Sequence, residues 1–157
     1  MANELIPREY IIKSSIEQGA VFYFKNDSFK GCNHKHYFIV LNIDPKKDEI
    51  TYLVHAETIS EINFDFANIY EKDTLVQVTD KKECFFVTHP TVFNCNDIQV
   101  KSYKDLEKKY KDGALEIKNS ISSELLNKII EATIKSNSVS EKIKIKIKPE
   151  YKSSLTS

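Results

Sequence analysis

The chain has 157 residues, of which 41% are hydrophobic and 29% charged, with no Trp and a formal net charge of +0. That length suits one domain with a sizeable core, and the composition excludes a disordered chain, which is low in hydrophobic residues and high in net charge. No run of about 18 apolar residues and no charged-then-apolar leader is present, so a cytoplasmic protein with no membrane partner is expected.

Charge is unevenly spread. Lys142, Lys144, Lys146, Lys148 and Lys152 stand against Glu141 and Glu150, leaving the C-terminal tail about +3 and the rest about −3. The overall balance argues against a dedicated nucleic-acid binder, whose affinity comes largely from neutralising phosphates, and leaves room for a local basic patch. Cys32, Cys84 and Cys95 are an odd, sparse set without CxxC spacing. Reduced thiols are the simplest reading, with no disulfide framework or zinc ribbon.

In chain order, Pro7 suits a first helical turn, and Tyr10, Ile11 and Ile16 form an imperfect apolar stripe before Gly19. This predicts a helix over 7–18. Strands are predicted over 20–24 and 37–41. The second is apolar throughout, as a strand buried on both faces would be. Asp44 to Asp48 reads as a polar reverse turn leading into a strand over 50–56, so the second and third strands should form a hairpin. Residues 57–73 lack a clean period and suggest an excursion over one face. Short strands follow over 74–79, 91–95 and 98–100, and many short strands imply a small barrel.

After Lys101, Ser102 is placed to cap a helix over 103–111 closed by Asp112-Gly113, and Leu115 and Ile117 alternate as a strand. The clearest helix follows, with Ser122 as N-cap, Ile121 and Leu126 placed for a hydrophobic staple, and Leu125, Leu126, Ile129, Ile130 and Ile134 on one face. Beyond the break at SNSVS, Ile143, Ile145 and Ile147 alternate with lysines, which reads as an edge strand or a basic tail. The division is thus an N-terminal helix within 1–18, a barrel domain with its packed C-terminal helix over 19–135, and a basic tail over 136–157.

The segment between the first two strands carries Lys25, Lys30, Cys32, His34, Lys35 and His36. A loop rich in cations and imidazoles, held at both ends by buried strands, is the leading candidate for a functional surface. His34 and His36 would share a face if the strand began at His34, which permits metal ligation completed by His89, Cys95 or Asp97; ordinary loop histidines are the simpler reading. His55 falls inside an apolar strand and reads as a hydrogen-bonded core residue. Cys95 near His89 invites a nucleophile, yet a buried thiol in a strand is the commoner case.

Gly19-Ala20-Val21-Phe22-Tyr23, Gly31, His36-Tyr37-Phe38-Ile39-Val40-Leu41-Asn42, Thr91-Val92-Phe93-Asn94-Cys95-Asn96 and the helix beginning near Ser122 together resemble the MazF/PemK-type toxin family. The likeness spans residues 19–135. It implies an α+β fold with a small SH3-like barrel, and a homodimeric, metal-independent endoribonuclease without a cofactor, held in check by a small antitoxin protein. Such an enzyme drives attack of a ribose 2′-hydroxyl of single-stranded RNA on its own phosphate, needing a proton acceptor, a proton donor and a cation. The family places an Arg at the start of the second strand and a Thr or Ser after the third. Those places fall here on His36-Tyr37 and Thr58, and the Arg is absent. The resemblance therefore implies His36, Thr58 and Lys35 as catalytic residues, with Lys25, Lys30, His34 and Asn96 touching RNA. Because imidazole offers one donor where guanidinium offers a fork, the rival reading is a catalytically inactive barrel acting as a protein- or nucleic-acid-binding regulatory module.

Overall fold

The computed structural model describes residues 16–27, 29, 34–58 and 71–151. Among them run seven strands: β1 Val21–Phe24, β2 His36–Val40, β3 Ile50–Thr58, β4 Leu75–Val78, β5 Thr91–Asn94, β6 Gln99–Ser102 and β7 Leu115–Lys118. Four helices join them: α1 Pro45–Asp48, α2 Tyr103–Lys111, α3 Ser123–Lys135 and α4 Glu141–Ile147. Strand order is β4-β5-β3-β2-β1-β7, with β6 also on β3, and every ladder is antiparallel.

The sheet is built around β3. One edge takes β2, with Phe38 opposite His55 and Val40 opposite Leu53. Its other edge is shared, since Ile50 to Leu53 pair with β6 and Ala56 to Thr58 pair with β5. The sheet curls as a result, but it does not close. Among the described residues no ladder joins β4 to β7, and the closed barrel expected from the many short strands is corrected to an open, curved antiparallel sheet with helices on both faces.

Period-two alternation sorts the side chains of β1 to β3 into two cores. Val21, Ile39, Leu41, Tyr52 and Val54 meet Leu125 and Ile129 of α3 and Ile147 of α4. On the opposite face Phe22, Phe24, Phe38, Val40 and Leu53 meet Leu106 of α2 and Leu115, with the Phe24 and Phe38 rings stacked at 4.3 Å. The apolar run in β2 is therefore buried on both sides, as its composition foretold. Each such side chain contributes roughly 1.5–3 kcal/mol by leaving water.

The helix caps are where the side-chain chemistry put them. Ser102 Oγ accepts from the Asp105 N–H at 3.0 Å, and Ser122 Oγ from the Leu125 N–H at 3.1 Å. Gly113, at φ 77°, turns the chain out of α2 through the left-handed region. Asn42 ties the β2–β3 hairpin: its Nδ2 donates to the Ile50 carbonyl at 2.9 Å and to Asp48 at 3.0 Å, while its Oδ1 accepts from the Tyr52 N–H at 3.1 Å.

Three local expectations change. The reverse turn after β2 contains the single helical turn α1, because Pro45 presets its first residue and Asp44 caps the Lys47 N–H at 3.2 Å. Residues 141–147 are helix, not an edge strand or loose tail. Ser140 caps the Ile143 N–H at 3.3 Å, and Ile143, Lys144 and Ile147 lie on one helical face that is turned inward. The alternation Ile143, Ile145, Ile147 contains an i, i+4 pair, and that pair decides the outcome. The end of the helix expected over 7–18 is a turn at Glu17 to Gly19; residues 1–15 lie outside the described set.

Candidate active site

Continued two residues past Phe38 and His55, the β2–β3 register sets Glu57 opposite His36. Strand alternation also puts His36 on the face of Phe38, and His55 on the face of Glu57. A polar group thus forms at the mouth of the second core. The His34 and His36 rings lie 4.6 Å apart, His36 and His55 5.8 Å apart edge-on, and Phe29 packs against both His36 and His55 at 5.1 and 4.8 Å.

His55 is buried, and its Nε2 lies 2.6 Å from Glu57 Oε1. Accepting this bond holds the Glu57 carboxyl below the usual carboxylate range, with the nearby charge of His55 and then His36 acting in the same direction against partial burial. Glu57 is therefore an anion near neutral pH, and His55 Nε2 is the donor. His55 Nδ1 is also buried, with no hydrogen-bond partner among the described residues.

An open cleft of about 180 Å³ runs across this end of the sheet. It is lined by His34, Lys35, His36 and Tyr37 at the start of β2, by Ala56 and Glu57 of β3, and by Phe86, Thr88 and Thr91. Lys35 is exposed; its ammonium sits 3.4 Å from Glu116 and 5.6 Å from the centre of the Tyr23 ring. Glu116 also takes Lys118 at 3.4 Å, so one carboxylate answers two ammonium groups.

The fold brings together His34, Lys35 and His36 on the cleft. Thr58 ends β3 opposite Thr91 in the ladder to β5. Lys25 is exposed just after β1, and Lys30 and Cys32 lie outside the described residues. Asn96 is not brought to the cleft. Its Nδ2 donates to Thr74 Oγ1 at 2.8 Å and Asn94 Oδ1 at 2.9 Å, and its Oδ1 accepts from Ser136 Oγ at 2.5 Å, so the amide is committed to tying the β5–β6 turn to α3. Cys95 is fully buried and burial pushes its thiol up to about 12, which makes it a core residue. His89 is exposed and does not line the cleft. Among the described residues no group of three His, Cys, Asp or Glu is arranged to hold a metal ion.

Glu57 was hidden in sequence because it sat at the head of the aperiodic segment. The usable signal was the pair His55-x-Glu57, whose spacing places both side chains on one face of an extended strand.

No family model and no curated protein matches the chain. The chain is similar to a solved mycobacterial endoribonuclease in complex with its cognate antitoxin, at 10% identity over 79% of this chain and 96% of that one, with a TM-score of 0.49. At that identity no side chain here takes its role from the likeness.

Proposed function

We propose that the protein is an endoribonuclease of the MazF/PemK-like toxin kind, cutting single-stranded RNA by attack of a ribose 2′-hydroxyl on the adjacent phosphate. The observation that carries this reading is that two imidazoles and an ammonium from consecutive residues, His34, Lys35 and His36, line one cleft beside the Glu57 anion. One neutral imidazole of the pair takes the 2′ proton as the oxygen bonds to phosphorus. The other, protonated, gives a proton to the departing 5′ oxygen, leaving a cyclic phosphate and a free 5′-hydroxyl. Lys35 offsets charge growing on the phosphate, a task that falls to it in the absence of the family Arg. Thr58, at the end of β3, keeps the assisting role that the sequence resemblance gives it. A homodimer and a small antitoxin partner belong to the same reading.

The test is incubation of the purified protein with end-labelled single-stranded RNA, with and without chelator, beside His36→Ala and His34→Ala. Chelator-resistant cutting that leaves cyclic phosphate ends and falls at least a hundredfold in His36→Ala supports the enzyme. Cutting that survives His36→Ala removes that residue from the mechanism.

A second reading rests on a different observation. Lys35 is already paired with Glu116, and Glu57 adds a negative charge to the cleft, a weak setting for phosphate chemistry. A binding module that does not cut would show RNA or protein binding with no product ends in the same assay.

A further inference from the structure

Next to the cleft the rings of Tyr23, Tyr37 and Phe86 form a stack. Tyr37 lies 4.4 Å from Tyr23 and 4.0 Å from Phe86, the latter at an interplanar angle of 2°. Phe85 stands edge-on against both Tyr37 and Phe86, at 6.3 and 5.3 Å. It is 37% exposed, one of few large apolar side chains that remain so among the described residues. An exposed ring braced by two others is presented to solvent with little rotamer freedom left to lose.

Charges of both signs lie near the stack. Lys35 and Lys118 both lie over the Tyr23 ring, at 5.6 and 5.5 Å, and share the single carboxylate of Glu116. Lys81 and Lys82, in the turn that precedes Phe85, are exposed and stand between Asp80 and Glu83. Aromatic faces interleaved with ammonium groups match a strand that alternates flat bases with phosphates, because every base has a stacking face and every linkage a negative charge.

We propose that Phe85, braced by Tyr37 and Phe86, is a stacking shelf for a base of single-stranded RNA, with Lys35 and Lys118 holding the flanking phosphates. The shelf deepens the ribonuclease reading and rests on its RNA half, not on its catalytic half. It sets where the strand lies relative to His36, and it is tolerant of base identity.

The test uses a fluorescein-labelled eight-residue 2′-O-methyl oligoribonucleotide, which binds but lacks the attacking hydroxyl. Anisotropy titrations compare wild type, Phe85→Ala and Phe85→Trp. Phe85→Ala should weaken binding by roughly tenfold or more, and Phe85→Trp should retain it. The shelf then stands even if no variant cuts RNA. Equal affinity of Phe85→Ala and wild type overturns it while leaving cleavage intact, and no binding by wild type overturns both. Sedimentation of the same variants covers the other use of an exposed ring. If Phe85→Ala dissociates a dimer without changing RNA affinity, Phe85 is a protein contact and the proposal is lost.

Discussion

His55 and Glu57, two residues apart on one face of β3, meet at 2.6 Å across a bond that holds the carboxyl below its usual range. Replacing the carboxylate by an amide keeps the shape and removes the charge. Charge-assisted hydrogen bonds are about twice as strong as neutral ones, so Glu57→Gln should lose about 1 kcal/mol near pH 7. A carboxyl whose pKa is lower folded than unfolded contributes stability that is fully present above the unfolded value and is lost as pH falls through the folded one. The gap between wild type and Glu57→Gln should therefore shrink once the pH drops below the ordinary Glu range. Urea titrations at neutral and acidic pH read this directly, and a gap that widens on acidification contradicts it.

Backbone conformation gives a pair of changes of opposite sign. Gly19 lies at φ +91°, and a Cβ added there would meet Leu126 Cδ2 at 2.9 Å, a flexible side-chain end that can move. The backbone is thus the main cost, and Gly19→Ala should destabilise by about 1–2 kcal/mol. Glu49 closes α1 at φ 60° without being glycine. Relief of that strain, partly offset by the added freedom of the unfolded chain, should make Glu49→Gly about 0.5 kcal/mol more stable. Thermal and urea unfolding of the two variants should move in opposite directions.

Asn42 is completely buried and bonds three groups of the β2–β3 hairpin. Asn42→Ala strands the Tyr52 N–H and the Ile50 carbonyl away from water. A loss of about 2–3 kcal/mol follows, since each unsatisfied buried group costs on the order of 1–3 kcal/mol. Amide exchange should show the loss first at Tyr52, whose N–H is the one left without an acceptor.

Ser122 caps α3, the helix that covers the first core through Leu125 and Ile129. Ser122→Ala should cost about 1 kcal/mol, and Ser122→Asp should recover it because aspartate caps as well and suits a helix N-terminus. Denaturant midpoints should shift with little change in slope.

What the sequence disclosed and what it hid follow from range. Caps at Ser102 and Ser122, the exit at Gly113 and the double burial of β2 are local or periodic features, and each was readable from a few neighbours. The Pro45 turn was read as a turn, and only its one helical cycle escaped. Residues 141–147 misled because a stretch with isoleucine at every second place contains a helical i, i+4 pair as well as a strand period, and only packing against the first core chooses. Whether β4 and β7 would meet depends on accumulated sheet curvature, to which no single residue testifies. At the site, His34, Lys35 and His36 stood out as neighbours in sequence. Their partners His55 and Glu57 come from a different strand, and only the register between β2 and β3 puts them there. Asn96 looked available because an amide in a turn usually is; Thr74 and Ser136, from elsewhere in the chain, take it up together with neighbouring Asn94.

The middle of β3 has strands along both edges and a core on each side. Amides there should be the last in the protein to exchange with solvent, surviving until global unfolding, while those of β4 and α4 exchange through local opening. His55 adjoins that slow segment and pairs with Phe38 of β2. Loosening at the periphery, whether from a bound partner or from heat, would leave the spacing between His55 and its neighbours unchanged until the whole domain gives way.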